Sequence, residues 1–313
     1  MQQLSASEKP VLVIGASGTD LVGRLAGEWR PRSSLPAHIR TSMGGVARNV
    51  AENLARLGCP VALLSAVGYD AAGDHILKQT AAAGVDVSRV LRTDKMATGS
   101  YLAVLDADGT FRMALDDMRA IQMLTPAYVR RYAGQFAAAS FVFVDANLPE
   151  ATLDAVMVMA HGARCPVCAD PTSTVLAPRL RPYLERLALI TPNAAEAALL
   201  AGRDFDPQNS LEAIETAKCL VALGVETVVI TLGEYGICYA TTQHSGYYPA
   251  IHTQVVDPIG AGDALTAAVL MSHLNDIPLD DAVRLGVAAA SLTLRYPGAV
   301  SPHLSLEQLY DQI

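Results

Sequence analysis

The sequence predicts an α/β protein with a mostly parallel central sheet, flanking helices and a small β lid. Short apolar runs alternate with helix-like stretches along the chain, which is typical of βαβ units. A hairpin pattern interrupts this alternation in the first half of the sequence. The length of 313 residues suits one large domain. We therefore expect a single domain over residues 1–313, with a lid contributed mainly by about residues 87–118.

The apolar runs that predict strands of the central sheet are Val11–Ile14, Val61–Ala66, Phe141–Val144, Pro166–Ala169, Ala188–Ile190 and Val228–Ile230. Between the first two runs, Val46–Leu57 has apolar side chains at three- and four-residue spacing, and Gly58 follows it. This pattern predicts a helix that stops at glycine. Near the C-terminus, Ala261–Leu274 and Leu279–Leu294 predict two alanine-rich helices that pack together at the end of the sheet.

The predicted lid is a β-hairpin. Ser100–Leu105 and Thr110–Leu115 flank the acidic turn Asp106–Gly109, which ends in glycine. Such a turn between two strand-like segments is a hairpin signal. A hairpin inserted into an α/β chain is a candidate cover for a binding site.

Composition argues against two classes of partner. The chain has 23 Lys and Arg against 31 Asp and Glu, a net charge of −8, which does not suit a surface that follows nucleic-acid phosphates. Mean hydropathy is +0.27, but no apolar run approaches the roughly 18 to 20 residues that span a bilayer. The segment Met1–Pro10 is polar and lacks the features of a signal peptide, so we expect a short loose arm and a cytoplasmic protein.

The cysteines do not indicate a metal or disulfide framework. Of the 5 cysteines, only Cys165 and Cys168 have C-x-x-C spacing, and the 7 histidines are scattered singly. A zinc site would need a second pair or matching histidines. We interpret the pair as part of a buried strand.

The strongest functional signal is Val255–Ala264, which predicts an apolar strand, a glycine-rich turn and a helix start. The turn Gly260-Ala261-Gly262 would expose backbone N–H groups at the positive end of a helix dipole, and such groups bind anions. Asp263, just inside the helix, could accept a proton at the same place. Phosphoryl transfer uses this combination. An ordinary turn with Asp263 as a helix cap fits the spacing equally well.

Two segments nearer the N-terminus suit a ligand rich in hydroxyl groups. Gly44 and Gly45 would let it lie against the backbone, and Asn49 in the following helix offers amide donors and an acceptor. Asp20 follows the first strand, where open α/β sheets bind ligands. The structural alternative is a tight loop before a helix, with Asn49 on the surface.

These segments resemble a known family. Gly44–Gly58 and Asp257–Asp263 are similar to the two signature segments of the ribokinase-type carbohydrate kinases, often called PfkB kinases. Thr191–Glu196 resembles the Asn-x-x-Glu element of that family, and Thr231–Gly236 resembles its nucleotide-binding strand and turn. The resemblance covers nearly the whole chain. It implies a ribokinase-like fold and an ATP-dependent kinase that uses Mg²⁺ and acts on a sugar-bearing hydroxyl.

The resemblance also implies roles for individual residues. Asp263 would be the catalytic base, beside an anion hole made of Gly260, Ala261 and Gly262. The acceptor would contact Asp20, Gly44, Gly45 and Asn49, with Thr19, Ser42 and Asp116 as candidates for recognising its ring. The ATP site would include Asn193, Thr231, Gly233, Gly236, Gly260 and Gly262. Asn193 and Glu196 would organise Mg²⁺ and its waters, although the same pair is also typical of a helix capping box.

Two positions depart from the family pattern. Pro258 stands where the family commonly has Thr, and it offers a carbonyl but no hydroxyl to a monovalent-cation loop. The resemblance leaves a K⁺ site at Asp257 open. Gly18 stands where the family commonly has Asn, which changes the expected substrate pocket.

Within the family, Gly44–Gly58, Asp117-Met118 and Ala169-Asp170-Pro171 are most similar to members that phosphorylate pseudouridine. This similarity implies transfer to the 5′-hydroxyl of pseudouridine, giving pseudouridine 5′-phosphate and ADP. A kinase for ribose, fructose, adenosine or another nucleoside would share the catalytic residues, and a catalytically silent nucleotide-binding protein could share the fold. The resemblance further implies that the lid hairpin forms a homodimer interface, because an apolar outer face needs a partner.

Overall fold

The computed structural model describes residues 9–313, so most of the expected N-terminal arm Met1–Pro10 lies outside the described residues. The strands are β1 (Val11–Ile14), β2 (Gly18–Leu25), β3 (Ala37–Gly44), β4 (Val61–Leu64), β5 (Ala66–Gly68), β6 (Leu91–Thr93), β7 (Gly99–Leu105), β8 (Phe111–Asp117), β9 (Phe141–Asp145), β10 (Val167–Asp170), β11 (Leu189–Ile190), β12 (Thr227–Thr231), β13 (Ile237–Thr241) and β14 (Ser245–Tyr248). The α-helices are α1 (Val46–Arg56), α2 (Ala71–Ala82), α3 (Pro126–Arg130), α4 (Ala133–Ala138), α5 (Glu150–Ala163), α6 (Ala194–Ala201), α7 (Ser210–Ala222), α8 (Ala261–Leu274), α9 (Leu279–Leu294) and α10 (Leu306–Tyr310).

The central sheet has 8 strands in the order β14-β13-β12-β11-β10-β9-β1-β4. The strands from β12 to β4 are parallel, and β13 and β14 continue the sheet in antiparallel pairs. All four residues of β1 are buried, as expected for a parallel strand covered on both faces. The predicted α/β class with a mostly parallel sheet is confirmed.

Helices cover both faces of the central sheet. Because side chains alternate along a strand, Leu12 and Ile14 join one hydrophobic core, whereas Val11 and Val13 join the other. The second core also contains α1, α8 and α9. Both alanine-rich helices have their predicted bounds, and α1 ends just before Gly58, whose φ of 87° is left-handed.

The lid is a separate 4-stranded sheet in the order β3-β2-β7-β8. The expected range 87–118 contains β7 and β8, but β2 and β3 complete the sheet and were not predicted as strands. The reason is their composition: polar and charged residues such as Arg24, His38 and Thr41 interrupt any apolar pattern. The face of the lid opposite to Asp20 exposes Ile39, Met113 and Leu115.

The predicted strand at Val255-Val256 is wrong. Both side chains are half exposed, and the backbone N–H of Val256 donates to the carbonyl of Leu294 at the end of α9, at 2.8 Å. The segment therefore follows a helix end instead of joining a sheet, although its β-branched residues favour a strand.

The Cys165 and Cys168 pair is buried, but only Cys168 lies within β10, whereas Cys165 precedes that strand. Within residues 9–313, no group of three or more His, Cys, Asp or Glu side chains is arranged to hold a metal ion. The same residues contain no helix that is both long enough and apolar enough to cross a membrane.

Candidate active site

Several polar side chains lie at the carboxyl edge of the central sheet, and of those that end its strands only Thr231 was predicted as a site residue. Asp145 ends β9, Asp170 ends β10, and Thr231 ends β12. The lid and the N-terminus of α8 border this edge. Ligands of open α/β sheets bind at such edges, because loops and helix starts converge there.

Asp263 lies in the first turn of α8 and is only 8% exposed. The side-chain amide Nδ2 of Asn49 on α1 donates to Oδ2 of Asp263 at 2.6 Å. Burial raises the pKa of Asp263 to about 7; the bond from Asn49 opposes this shift, and the charge of Asp20 adds to it. A carboxylate with a pKa near 7 can accept a proton at neutral pH.

Asp20 lies on β2 and is also buried. Burial raises its pKa to about 6, against the opposing charge of Arg48. A Cβ atom on Gly44 would overlap the Asp20 carboxylate, and one on Gly45, whose φ is 91°, would lie 2.5 Å from the carbonyl of Ala16. The two glycines therefore let the chain approach β2 and the end of β1 closely.

Arg48 was missed as a site residue. Its guanidinium donates to the carbonyls of Gly44 at 3.2 Å and Met43 at 2.9 Å, and it contacts the side-chain oxygen of Asn49. It also pairs with Glu52 at 2.6 Å. Burial lowers the pKa of Arg48, while the neighbouring carboxylates raise it. This residue orients Asn49 and places a positive charge near the two candidate carboxylates.

Asp145 was also missed. One carboxylate oxygen accepts from the N–H groups of Ala16 at 2.7 Å and Ala47 at 3.1 Å, and the other accepts from Asn147 at 3.0 Å. Burial raises its pKa, and these bonds oppose the increase. Asp145 therefore joins the end of β1 to the start of α1, which positions Asn49. The signal in the sequence was an acidic residue directly after an apolar strand.

The glycine turn forms the start of α8 as predicted. Gly260 is the N-cap residue with φ 82°, and a Cβ atom there would overlap the carbonyl of Ala299. At Gly262, by contrast, an added Cβ would have no atom within 4 Å other than its chain neighbours and the backbone of its own helix. The turn is thus closely packed on one side and open on the other.

A cavity of about 470 Å³ adjoins this open side. Its walls include Ala261 and Gly262 and apolar side chains of α8 and α9 such as Leu265 and Val287. The expected nucleotide residues in its lining are Thr231, Gly233, Gly236 and Gly262. A mostly apolar cavity beside a helix N-terminus suits a flat ring that carries a phosphate chain.

Asn193 and Glu196 form a reciprocal capping box on α6. The Asn193 side chain accepts from the N–H of Glu196 at 3.0 Å, and Glu196 Oε2 accepts from the N–H of Asn193 at 2.9 Å. Backbone pairing holds this cap beside the nucleotide cavity, since the N–H of Thr231 donates to the carbonyl of Pro192 at 2.9 Å.

The acidic residues near this cap fit a hydrated Mg²⁺ ion. Burial raises the pKa of Glu196. The pKa of Asp170 is raised well above its ordinary value, first by burial and then by the charges of Glu196 and Asp263. A divalent cation would relieve this repulsion, and carboxylate, amide and water oxygens are the ligands that Mg²⁺ prefers. Asp170 was not predicted as a site residue.

The surroundings of Asp257 do not fit the K⁺ site that was left open. This side chain is fully buried, and its oxygens accept from the N–H groups of Ile259 at 3.1 Å and Gly298 at 2.9 Å. The guanidinium of Arg40 pairs with the same carboxylate. The positive charge of Arg40 at this carboxylate would repel a second cation such as K⁺.

The lid presents a polar row to the site. Ser42, Asp20, Tyr101 and Asp116 are directly paired across β3, β2, β7 and β8, so their side chains share one face. The structure corrects the expectation for Thr19, because it precedes Asp20 in the same strand and points to the opposite face. Tyr101 was missed; burial raises its pKa, and the charges of Asp20 and Asp116 raise it further.

Comparison with known proteins gives concordant matches. The family model described as pfkB family carbohydrate kinase matches residues 8–305. Pseudouridine kinase of Escherichia coli strain K12 is 30% identical over 297 residues, covering 95% of this chain and 94% of that protein. Ribokinase of Staphylococcus aureus strain COL is 26% identical, with 96% and 98% covered. The structure of Arabidopsis thaliana ribokinase complexed with ribose and ATP superposes with a TM-score of 0.83 at 22% identity, covering 98% of this chain and 99% of that one.

Proposed function

Because the chain belongs to the pfkB family of carbohydrate kinases, we propose that it transfers the γ-phosphate of ATP to the 5′-hydroxyl of pseudouridine. The products are pseudouridine 5′-phosphate and ADP. The observation that carries the transfer is the contact between Asn49 and Asp263, made at the helix N-terminus that borders the nucleotide cavity. The 30% identity to E. coli pseudouridine kinase supports the choice of acceptor.

The proposed reaction has one proton transfer and one phosphoryl transfer. The acceptor oxygen forms a bond to the γ-phosphorus as the bond from that phosphorus to the β–γ bridging oxygen breaks. The acceptor proton moves to the carboxylate of Asp263, and the leaving ADP keeps the bridging oxygen. The N–H groups of Gly260, Ala261 and Gly262 stabilise the charge on the transferred group.

Asn193 and Glu196 would hold Mg²⁺ through water, with Asp170 nearby. When bound, the ion supplies charge neutralisation on the ATP phosphates. Asn193 and Glu196 also form the capping box of α6, and the backbone bond from Thr231 to Pro192 holds this cap beside the end of β12.

The acceptor would lie between Asn49 and the polar row of the lid. Pseudouridine carries one more ring N–H than uridine, and a site that pairs with it rejects the analogue that lacks it. Asp116 and Ser42 offer acceptor oxygens for that N–H. Ribose remains the second candidate, because the S. aureus ribokinase is 26% identical over nearly the same length.

A substrate panel tests this proposal. We expect ATP-dependent phosphorylation of pseudouridine with a kcat/KM at least about tenfold above that for uridine. Liquid chromatography and mass spectrometry of the phosphorylated product measure the rates. Adenosine, ribose and fructose complete the panel. Preferred turnover of ribose or of another nucleoside would reject the acceptor and leave the kinase chemistry intact.

We also propose a homodimer that covers the outer face of the lid. That face exposes Ile39, Met113 and Leu115, whose apolar surface would be removed from water when two lids pack together.

A further inference from the structure

Asp257 is a buried carboxylate that requires a positive charge. Pro258 and Ile259 separate it from the turn Gly260–Asp263, and its exposed fraction is 0%. Two backbone N–H groups donate to it, from Ile259 and Gly298. These bonds hold together the start of the turn and the segment after α9. Because both donors are neutral, they leave the negative charge of the buried Asp257 carboxylate uncompensated, which destabilises the folded state.

Arg40 supplies the opposite charge. It lies on β3 of the lid, and its guanidinium pairs with the oxygen of Asp257 that also accepts from Gly298. The side chain of Arg40 is 33% exposed, so the pair is open to solvent only from the arginine side. A second cation at this carboxylate would be repelled by the guanidinium at short range.

We propose that Arg40 acts as the resident cation of Asp257, in place of the monovalent cation that the family resemblance left open. Arg40 is then a positioning residue: by neutralising Asp257 it holds the anion-binding turn in place and ties that turn to the lid. The kinase activity is accordingly independent of K⁺. This inference rests on the kinase chemistry of the family and is the same for every acceptor in the substrate panel.

The first test uses the unmodified protein. Turnover is measured with K⁺, with Na⁺ and with tetramethylammonium, which is too large for a carbonyl-lined site, at constant ionic strength. We expect equal kcat and KM for ATP in the three salts. A severalfold higher kcat in K⁺ overturns the inference.

The second test uses variants at position 40. Arg40→Ala should lower kcat by about 10- to 100-fold, because the turn loses its alignment, with a smaller change in KM for the acceptor. Arg40 lines an open cavity of about 470 Å³ beside Val256 and Pro258, so a small cation can reach the vacated position. We expect guanidinium ions or K⁺, but not tetramethylammonium, to restore part of the lost turnover. Arg40→Lys should retain more activity than Arg40→Ala.

Arg24 provides a matched control. It lies on the neighbouring strand β2 and lines the same cavity, but its guanidinium donates to the carbonyl of Ala107 at 3.0 and 2.7 Å. Arg24 pairs with no carboxylate among residues 9–313. Arg24→Ala should keep normal turnover and should not respond to guanidinium. Full activity of Arg40→Ala without K⁺, or equal rescue of both alanine variants, contradicts the proposed role.

A binding measurement separates this inference from the choice of acceptor. If no acceptor in the panel is turned over, affinity for a non-hydrolysable ATP analogue is measured by calorimetry in the same three salts. Equal affinity in all salts, with weaker binding by Arg40→Ala that guanidinium restores, supports the role of Arg40. Binding by the unmodified protein that strengthens severalfold in K⁺ rejects it.

Discussion

At the scale of single residues, the carboxyl group of Asp263 shows how burial prepares a proton acceptor. Its surroundings contain one amide donor, from Asn49, and a second carboxylate, Asp20. The loss of hydration on burial raises the pKa of Asp263 more than the contacts that stabilise its charged form lower it, so this pKa rises to about 7. A buried charge near the reaction centre favours proton transfer and disfavours folding.

Asp263→Asn separates these two effects. We expect turnover to fall by about 100- to 10,000-fold, because the amide cannot accept the proton, whereas ATP binding persists. The folded-state pKa exceeds the ordinary value of 3.8, so this group makes the protein less stable as pH rises from about 4 to 7. The variant should therefore melt about 3 °C above the unmodified protein at pH 8, and this advantage should shrink toward pH 4.

The control is Asp204→Asn, at an exposed position, which should change neither turnover nor melting temperature. Turnover and melting are measured by coupled assay and calorimetry over the same pH range. Near-normal turnover of Asp263→Asn would reject the catalytic base, and a melting advantage that increases on acidification would reject the raised pKa.

Residue types and spacing predicted Asp263, Asn49 and Asp20 but not the residues that support them. Arg48 stands in the helix next to Asn49, where an arginine ordinarily faces solvent. It is buried because helix α1 is buried on all sides between Ala47 and Leu54, and Arg48 pairs there with Glu52 and Asn49. The sequence alone does not show that Arg48 is buried, because its burial follows from how helix α1 packs against the rest of the molecule.

At the scale of elements, the start of α8 depends more on Gly260 than on Gly262. Gly260→Ala should lower the free energy of unfolding by about 2 kcal/mol or more, because its φ of 82° is left-handed and the added Cβ overlaps Ala299. Gly262→Ala is the matched variant, since its Cβ meets open space within a helix, and we expect stability to stay equal or rise by up to about 1 kcal/mol. Urea unfolding measures both, and equal losses would contradict the role of Gly260.

Helices and strands were predicted well from the sequence where apolar residues repeat at regular spacing. They were predicted poorly where the backbone conformation depends on contacts with residues far away in the sequence. α8 and α9 have their predicted bounds because their small apolar residues repeat with helical spacing. Val255-Val256 has the composition of a strand, but its hydrogen-bond partner is the end of α9. β2 and β3 pair with each other across an intervening loop, and only tertiary pairing makes them strands.

At the scale of the whole molecule, the outer face of the lid predicts assembly. The chain of 33.0 kDa should sediment at twice that mass at micromolar concentration. Leu115→Lys should give a monomer, because it puts a charge into the apolar face where Leu115 is 58% exposed. Leu211→Lys, at a position that is 73% exposed on α7, should remain a dimer. A monomeric unmodified protein, or dissociation by both variants, would reject the interface.

The proposed acceptor site is divided between the lid and the body of the molecule. Asp20 and Gly44 belong to strands of the lid, whereas Asn49 and Asp263 belong to the body. An acceptor that bonds to both groups would bridge the lid and the body, so its binding would favour the arrangement in which the two lie together. We infer that this division would discriminate against water as the phosphoryl acceptor, because a water molecule is too small to bridge both groups.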